Sequence, residues 1–319
     1  MSKKPLVSMI VPCYNCEKWI GRLIESVISQ TYDNIELIVV NDGSTDLSGE
    51  IIEGFEGKVV DRGYKFKYIS QENKGLGGAI NAGLKVFCGE YLCWLDADDY
   101  LEPTSVEDRV KVLKENPDYA IVTSNAYIRK SDRLDEYKLL IEDENTQSNP
   151  WQFEDLINEK SIFCSGCNMV RTENFLEVNP EREIYPARRG QNWQMLLPLC
   201  YKYKRYYLHK PLYNYIDYPS SMSKDKNDIN IYLTRYDEHQ AILLNTFDMI
   251  EKVQKTDLEK HRRFVTKKYG KLRLATMLKY KEYDMFDKEY KAFREKADLK
   301  VAVMLLRRHF KFIDALIKK

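Results

Sequence analysis

The chain has 319 residues, 44% apolar and 31% charged, with 50 Lys and Arg against 49 Asp and Glu for a net charge of +1. That length suits one large domain with an appendage, or two domains, and the apolar share is ample for a core. The balance excludes a disordered or generally nucleic-acid-seeking chain, no apolar run approaches the roughly 20 residues that span a bilayer, and seven scattered cysteines argue against a disulfide framework.

The apolar stretch 6–11 follows Met1-Ser2-Lys3-Lys4 and is stopped by Pro12. It is too short for a secretory signal and has no small-residue cleavage site, so a cytosolic protein is expected. Residues 7–11 read as a buried strand. Asn15 is the expected cap of a helix with an apolar stripe at Trp19, Ile20, Leu23, Ile24, Val27 and Ile28. Residues 35–40 form the second strand, and Ser44 or Asp46 caps the next helix. A third strand over 66–69 precedes a helix over 78–86. A fourth strand over 91–95 precedes a helix over 105–113 that Pro117 ends, and a fifth strand covers 120–122. This alternation predicts an α/β fold, a mostly parallel sheet with helices on both faces. From about residue 227 the texture changes: Gly270 is the one glycine, proline is absent, and apolar residues fall at helical spacing, predicting three or four helices. Charge divides with it. Residues 1–220 carry 26 basic against 34 acidic side chains, and residues 221–319 carry 24 against 15.

Ligands of such sheets sit beyond the carboxyl ends of the strands. The residues standing there are Pro12-Cys13-Tyr14-Asn15-Cys16-Glu17, then Asn41-Asp42-Gly43-Ser44-Thr45-Asp46, then Glu72-Asn73-Lys74-Gly75-Leu76-Gly77-Gly78, and Asp96-Ala97-Asp98-Asp99. Three carboxylates in four residues repel one another. Either they are solvated loop residues before Pro103, or a divalent cation neutralises them. One or two carboxylates with open positions suit Mg²⁺ or Mn²⁺ that also holds a substrate diphosphate.

These four motifs, with Asn81-Ala82-Gly83 after the third, resemble the family 2 glycosyltransferases of the GT-A fold, in order and with normal spacing over about residues 5–130. The resemblance implies a UDP-sugar or similar donor, a divalent metal, and transfer with inversion at the anomeric carbon. It places Asp42 on the base. A carboxylate only accepts hydrogen bonds, and uracil offers an N3–H where cytosine offers none. It places Tyr14 on base or ribose, with Pro12 presenting it and Glu17 in reach. Lys74 and Gly75 open a helix whose amides and cation favour a diphosphate. Asp96 approaches ribose or metal, Asp98 is the metal ligand, and Asp99 orders the loop or takes part in catalysis. The expected organisation is a catalytic domain over 1–220, with donor half 1–130 and acceptor half 131–220, followed by a basic helical region over 221–319. The expected acceptor is a hydroxyl of a surface glycan or glycolipid.

One position departs from the family. Many members carry Glu-Asp on a helix of the acceptor region, the Asp acting as general base; here Gln191-Asn192 stands in that place. An amide takes no proton at neutral pH. Asp217 or Asp99 then serves as base, or catalysis rests on metal and positioning, or the chain binds donor without transferring well. Gln191, Asn192 and Trp193 read as a sugar-binding edge, with core packing the alternative for Trp193. Arg188 and Arg189 suit phosphate or an acidic acceptor. A nucleotidyltransferase is disfavoured, since no Gly-rich basic loop follows the first strand.

Cys13-x-x-Cys16 and Cys164-x-x-Cys167 mimic a four-cysteine zinc site, but the first pair lies inside the nucleotide loop and residues 164–170 read as a strand beside the acceptor region. The histidines, His209, His239, His261 and His309, show no metal spacing. Residues 301–319 are apolar on one side and basic on the other, which suits either an anionic membrane surface or docking on the other helices of the tail.

Overall fold

The computed structural model describes residues 4–219, 228–293 and 299–309. The chain divides into two compact units, the first running to Pro219 with Lys252–Gln254, and the second comprising Ser220–Glu251 and Lys255–Lys319.

In the first unit the strands are β1 (Val7–Cys13), β2 (Ile35–Asp42), β3 (Lys65–Gln71), β4 (Tyr91–Trp94), β5 (Tyr100–Leu101), β6 (Tyr119–Lys130), β7 (Arg133–Leu139), β8 (Asn168–Arg171) and β9 (Lys204–Asp217). The helices are α1 (Ile20–Ile28), α2 (Ser48–Gly54), α3 (Glu56–Asp61), α4 (Gly75–Val86), α5 (Ser105–Glu115), α6 (Phe153–Ile157), α7 (Thr172–Val178) and α8 (Gln191–Lys202). The nine strands form one sheet in the order β3-β2-β1-β4-β8-β6-β9-β5, with β7 on β6. β3, β2, β1 and β4 are parallel, as the alternation of strands and helices predicts. Beyond β4 the sheet is mixed: β8 runs antiparallel to β4 and β6, whereas β9 is parallel to β6.

The hydrophobic runs explain the parallel half. β1 and β2 are buried on both faces, so both faces are apolar. Each fully enclosed Ile, Leu or Val contributes roughly 1.5–3 kcal/mol relative to exposure. α1 lays Ile20, Leu23, Ile24 and Val27 on that core. Two buried charges tie layers together. Glu36, fully enclosed, accepts from the Ser8 hydroxyl and the Cys88 amide and pairs with Lys67 at 2.8 Å. Arg109, also enclosed, donates to the carbonyls of Ser105, Gly166 and Asn168 and so fastens α5 to β8.

Asn15 does not cap α1. It has a left-handed backbone, φ 52°, and its side chain bonds the next loop, while α1 starts at Ile20 with no side-chain cap. Neither Ser44 nor Asp46 is the N-cap of α2, a position held by Leu47 with no side-chain cap bond, but Asp46 Oδ1, one residue earlier, accepts from the Ser48 amide at 3.0 Å.

The second unit is helical: α9 (Ile229–Gln254), α10 (Glu259–Tyr280), α11 (Tyr283–Phe293) and α12 (Leu299–His309). Leu274, Met277, Phe286, Phe293 and Val301 form its core, with Met304 and Leu305 packed against it. Over its described part, therefore, α12 packs Val301, Met304 and Leu305 on neighbouring helices and leaves Val303 and Leu306 exposed. The remainder of the amphipathic segment, residues 310–319, lies outside the described residues.

Candidate active site

The loops following β1, β2, β3 and β4 leave four adjacent parallel strands at the same end, so all four open on one rim. Hydrogen bonds join the first three in sequence. Asn15 donates its amide to Ser44 Oγ at 3.0 Å, and its Oδ1 accepts from the Thr45 amide at 2.8 Å. The Glu17 amide donates to Asp46, while Glu17 Oε2 accepts from the Leu47 amide at 3.0 Å. The Glu17 carboxylate thus braces the second loop. Pro12, half-buried and aligned with Val40, leads into this loop, which leaves Tyr14 50% exposed above the rim.

Asp42 ends β2 and is 3% exposed. Its Oδ1 accepts from Gln71 Nε2 at 2.6 Å and from the Lys74 amide at 2.9 Å. Its Oδ2 takes no hydrogen bond among the described residues. One oxygen is therefore fixed by the chain and the other remains an acceptor of set direction. Gly43 makes this junction possible: its φ is +73°, and a Cβ there would stand 2.8 Å from the Asn73 nitrogen.

α4 begins at Gly75, as the third loop predicts, but its first turn is not an open amide cradle. The Gly75 amide donates to Asn73 Oδ1 at 3.1 Å and the Gly77 amide to the Ala187 carbonyl at 2.9 Å. Local hydrogen bonding has claimed groups that the sequence assigns to a diphosphate. The cations remain: Lys74 precedes the helix, and Arg188 Cγ lies 3.8 Å from where a Cβ on Gly75 would stand. A recess of about 390 Å³ is lined here by Gln71, Lys74, Gly78, Asn81, Ala82, Lys85 and Pro186.

The acidic loop follows β4. Burial pushes the Asp96 carboxyl up to about 6, with the Asp98 charge adding and hydrogen bonds from Ser165 and Gln191 opposing. Burial likewise raises Asp98, against its own backbone amide and the Arg22 guanidinium. Asp99 is raised further, by burial and the charges of Asp98 and Asp96. It is 1% exposed and accepts from the Ile216 amide at 2.8 Å, so it orders the loop and is enclosed away from any acceptor. The catalytic reading of Asp99 gives way to this one. Asp217, next to Ile216, is brought beside the same loop. Among the described residues, no group of three or more His, Cys, Asp or Glu side chains is set to hold a metal ion by itself. Asp96 and Asp98 lie close enough for the charge of Asp98 to raise Asp96, and Arg22 offsets Asp98 only in part; two such carboxylates would suit a divalent cation completed by substrate oxygens and water.

The second half of the rim is α8. Asn192, 8% exposed, accepts from Trp94 Nε1 at 2.7 Å and donates to the Phe163 carbonyl and Ser165 Oγ. Both functions of its amide are therefore engaged within the protein, and it is a structural node rather than a sugar-reading group. Trp193 is also withdrawn: it is 5% exposed, packs edge-on against Phe163 at 5.3 Å, and donates Nε1 to the Leu156 carbonyl. Of the expected sugar-binding edge only Gln191 stays at the rim, donating to Asp96 at 3.4 Å and Ser165 at 3.2 Å. Sequence reasoning did not single out Ser165, Trp94, Arg22 or Tyr218, which carry no motif and are revealed by the contacts alone.

The Cys16 thiol donates to the Tyr14 carbonyl at 3.3 Å and the Cys167 thiol to the Asn125 carbonyl at 4.0 Å; Cys13, Cys16, Cys164 and Cys167 are all free.

A mixed sheet with its donor-side loops on one rim is the architecture of the GT-A glycosyltransferases. TarS residues 1–349 of S. aureus in complex with UDP-GlcNAc superposes with a TM-score of 0.58 at 18% identity, covering 92% of this chain and 93% of that one. Mannosyltransferase PcManGT from Pyrobaculum calidifontis, in complex with GDP-Man and Mn²⁺, superposes at 0.55 with 15% identity over 98% and 81%. At these identities the likeness shows the fold. Residues 8–178 match the profile of Glycosyl transferase family 2, and the chain belongs to that family. Glycosyltransferase GlyA of Streptococcus pneumoniae is 32% identical over 182 residues, 57% of this chain and 24% of that protein. An uncharacterized glycosyltransferase of Haemophilus influenzae is 44% identical over 117 residues, 36% and 35% of the two chains. The matched stretches thus span about a quarter to a third of these relatives. No described helix is long and apolar enough to cross a membrane.

Proposed function

We propose that the chain transfers a hexose from a UDP-sugar to a hydroxyl of a surface-glycan or glycolipid acceptor, with inversion and with a divalent cation. The observation that carries this reading is that Asp42, Lys74, Asp96 and Asp98 all follow the carboxyl ends of adjacent parallel strands, with Asp42 Oδ1 fixed and Oδ2 open. A carboxylate so placed accepts the uracil N3–H, and Tyr14 covers the base or ribose. TarS with UDP-GlcNAc and PcManGT with GDP-Man and Mn²⁺ support a nucleotide-sugar donor on this fold.

Asp98 and Asp96 would hold the cation. What bound Mn²⁺ or Mg²⁺ supplies is positive charge against the departing diphosphate. Lys74 and Arg188 add side-chain charge at the start of α4, where fewer backbone amides remain for phosphate. The acceptor hydroxyl must lose a proton. Asn192 takes none and Asp99 is enclosed, so Asp217 is the base in this reading. The donor half is 1–130, the acceptor half 131–220, and the basic region 221–319 makes a peripheral contact with an anionic membrane that presents the acceptor.

A second reading is favoured by the three hydrogen bonds that immobilise Asn192 at the family's base position: a sugar-nucleotide-binding protein with little transfer. Release of UDP from UDP-hexoses with Mn²⁺, accelerated by acceptor glycans, separates the two. Tight UDP binding without turnover across a broad acceptor panel favours the second. Asp42→Ala should weaken UDP by about tenfold and ADP far less; equal losses by calorimetry refute the base-reading role.

A further inference from the structure

Arg22 projects from α1 toward the acidic loop. Its Nη2 donates to the backbone carbonyl of Asp98, and also to Tyr218 Oη at 3.1 Å. Tyr218 in turn donates to the same Asp98 carbonyl at 3.4 Å. The guanidinium lies 5.1 Å from the Tyr100 ring centroid, and Trp19, one turn earlier on α1, packs on Tyr218 at 4.8 Å. Arg22 thus holds the Asp98 carbonyl and the Tyr218 hydroxyl through the one nitrogen Nη2, with its guanidinium over the Tyr100 ring. It makes no ion pair with a carboxylate among the described residues, and its Nε is buried without a hydrogen-bond partner. A partly buried cation with no counter-ion is costly unless its charge has another use. The nearby use is the Asp98 peptide, whose carbonyl Nη2 holds.

We propose that Arg22, braced by Tyr100 and Tyr218, is the positioning residue that aims Asp98 at the divalent cation. The inference rests on the reading of Asp98 as a metal ligand. Arg22 touches neither donor nor acceptor in this account. It fixes the peptide from which the Asp98 side chain projects, and Tyr218 links that peptide to the chain leaving β9. A lysine does not reproduce it, because a lone ammonium lacks the planar guanidinium that lies over the Tyr100 ring while Nη2 holds the carbonyl.

The test is a titration of full-length protein with Mn²⁺ in the presence of UDP, with free Mn²⁺ read by electron paramagnetic resonance and folding checked by circular dichroism. Arg22→Met should weaken Mn²⁺ by about tenfold or more, Tyr218→Phe by a smaller factor, and Arg22→Lys should recover little. Because both residues act through one carbonyl, the double variant should lose less than the product of the single losses. Wild-type Mn²⁺ affinity in folded Arg22→Met overturns the proposal. If that variant does not fold, unchanged affinity in Tyr218→Phe overturns it equally. Asp98→Ala separates the two levels: if it abolishes Mn²⁺ binding while the Arg22 and Tyr218 variants bind normally, only this inference fails. If Asp98→Ala leaves Mn²⁺ binding intact, the metal-ligand reading fails and takes the inference with it.

Discussion

At the residue scale, the site is decided by which polar atoms the protein has already engaged. Asn192 is the clearest case. Its Nδ2 faces the Phe163 carbonyl, so a carboxylate in its place would set two acceptors against each other. Asn192→Asp, which restores the acid common in the family, should therefore cost about 1–3 kcal/mol in denaturant unfolding without raising turnover. Asp96 makes a prediction with a definite sign. Its folded carboxyl is raised to about 6 from 3.8, so the folded state binds its proton more tightly than the unfolded chain. The stability this gives is complete below about pH 4 and is lost as pH rises through about 6. Asp96→Asn should then match wild type near pH 4 and melt higher than wild type at pH 8 when metal is absent. An equal difference at both pH values would show that its charge is not the cause. The types and order of the rim residues were legible in the sequence because they fall directly after hydrophobic runs. Their hydrogen-bond partners were not. Ser165 and Trp94 lie 27 and 98 positions from Asn192, a separation no local pattern reports.

At the scale of elements, the parallel half was readable for the same reason: β1 and β2 are continuous apolar runs, and α1 bears its stripe at helical period. β7 and β9 were not readable. β7 is largely exposed, and β9 carries Lys204, Arg205, His209 and Lys210 along its first part, ahead of the buried Leu212, Tyr213 and Asn214, so neither presents a long apolar run to notice. The junction of α4 with residues 184–187 was equally hidden. Asn81 both donates to and accepts from the Ile184 backbone, and Gly77 lies against Tyr185 and Ala187. A Cβ at Gly77 would come within 2.8 Å of two backbone atoms. Gly77→Ala should force this junction apart, cost about 1–3 kcal/mol, and weaken UDP binding because Lys74 and Arg188 move with it. Wild-type UDP affinity in a destabilised Gly77→Ala would separate the junction from donor binding.

At the scale of the molecule, the opposite charges of the two regions bear on where the protein works. The described part of α12 buries Val301 and packs Met304 and Leu305 within its own unit and leaves Val303 and Leu306 exposed; the proposed attachment to an anionic bilayer would therefore rest chiefly on charge. Full-length protein should float with anionic vesicles at low salt and release by about 0.5 M salt, and a chain ending at Asp298 should float less. Retention at high salt would point to apolar insertion instead. The reversal of strand direction after β4 has a wider consequence. In the proposed reading the loops that grip the nucleotide belong to the parallel side, joined by Arg188, whereas the chain that would frame the other substrate enters antiparallel through β8. New specificity for the receiving molecule can therefore accumulate beyond that seam while the handle on the activated sugar stays as it was.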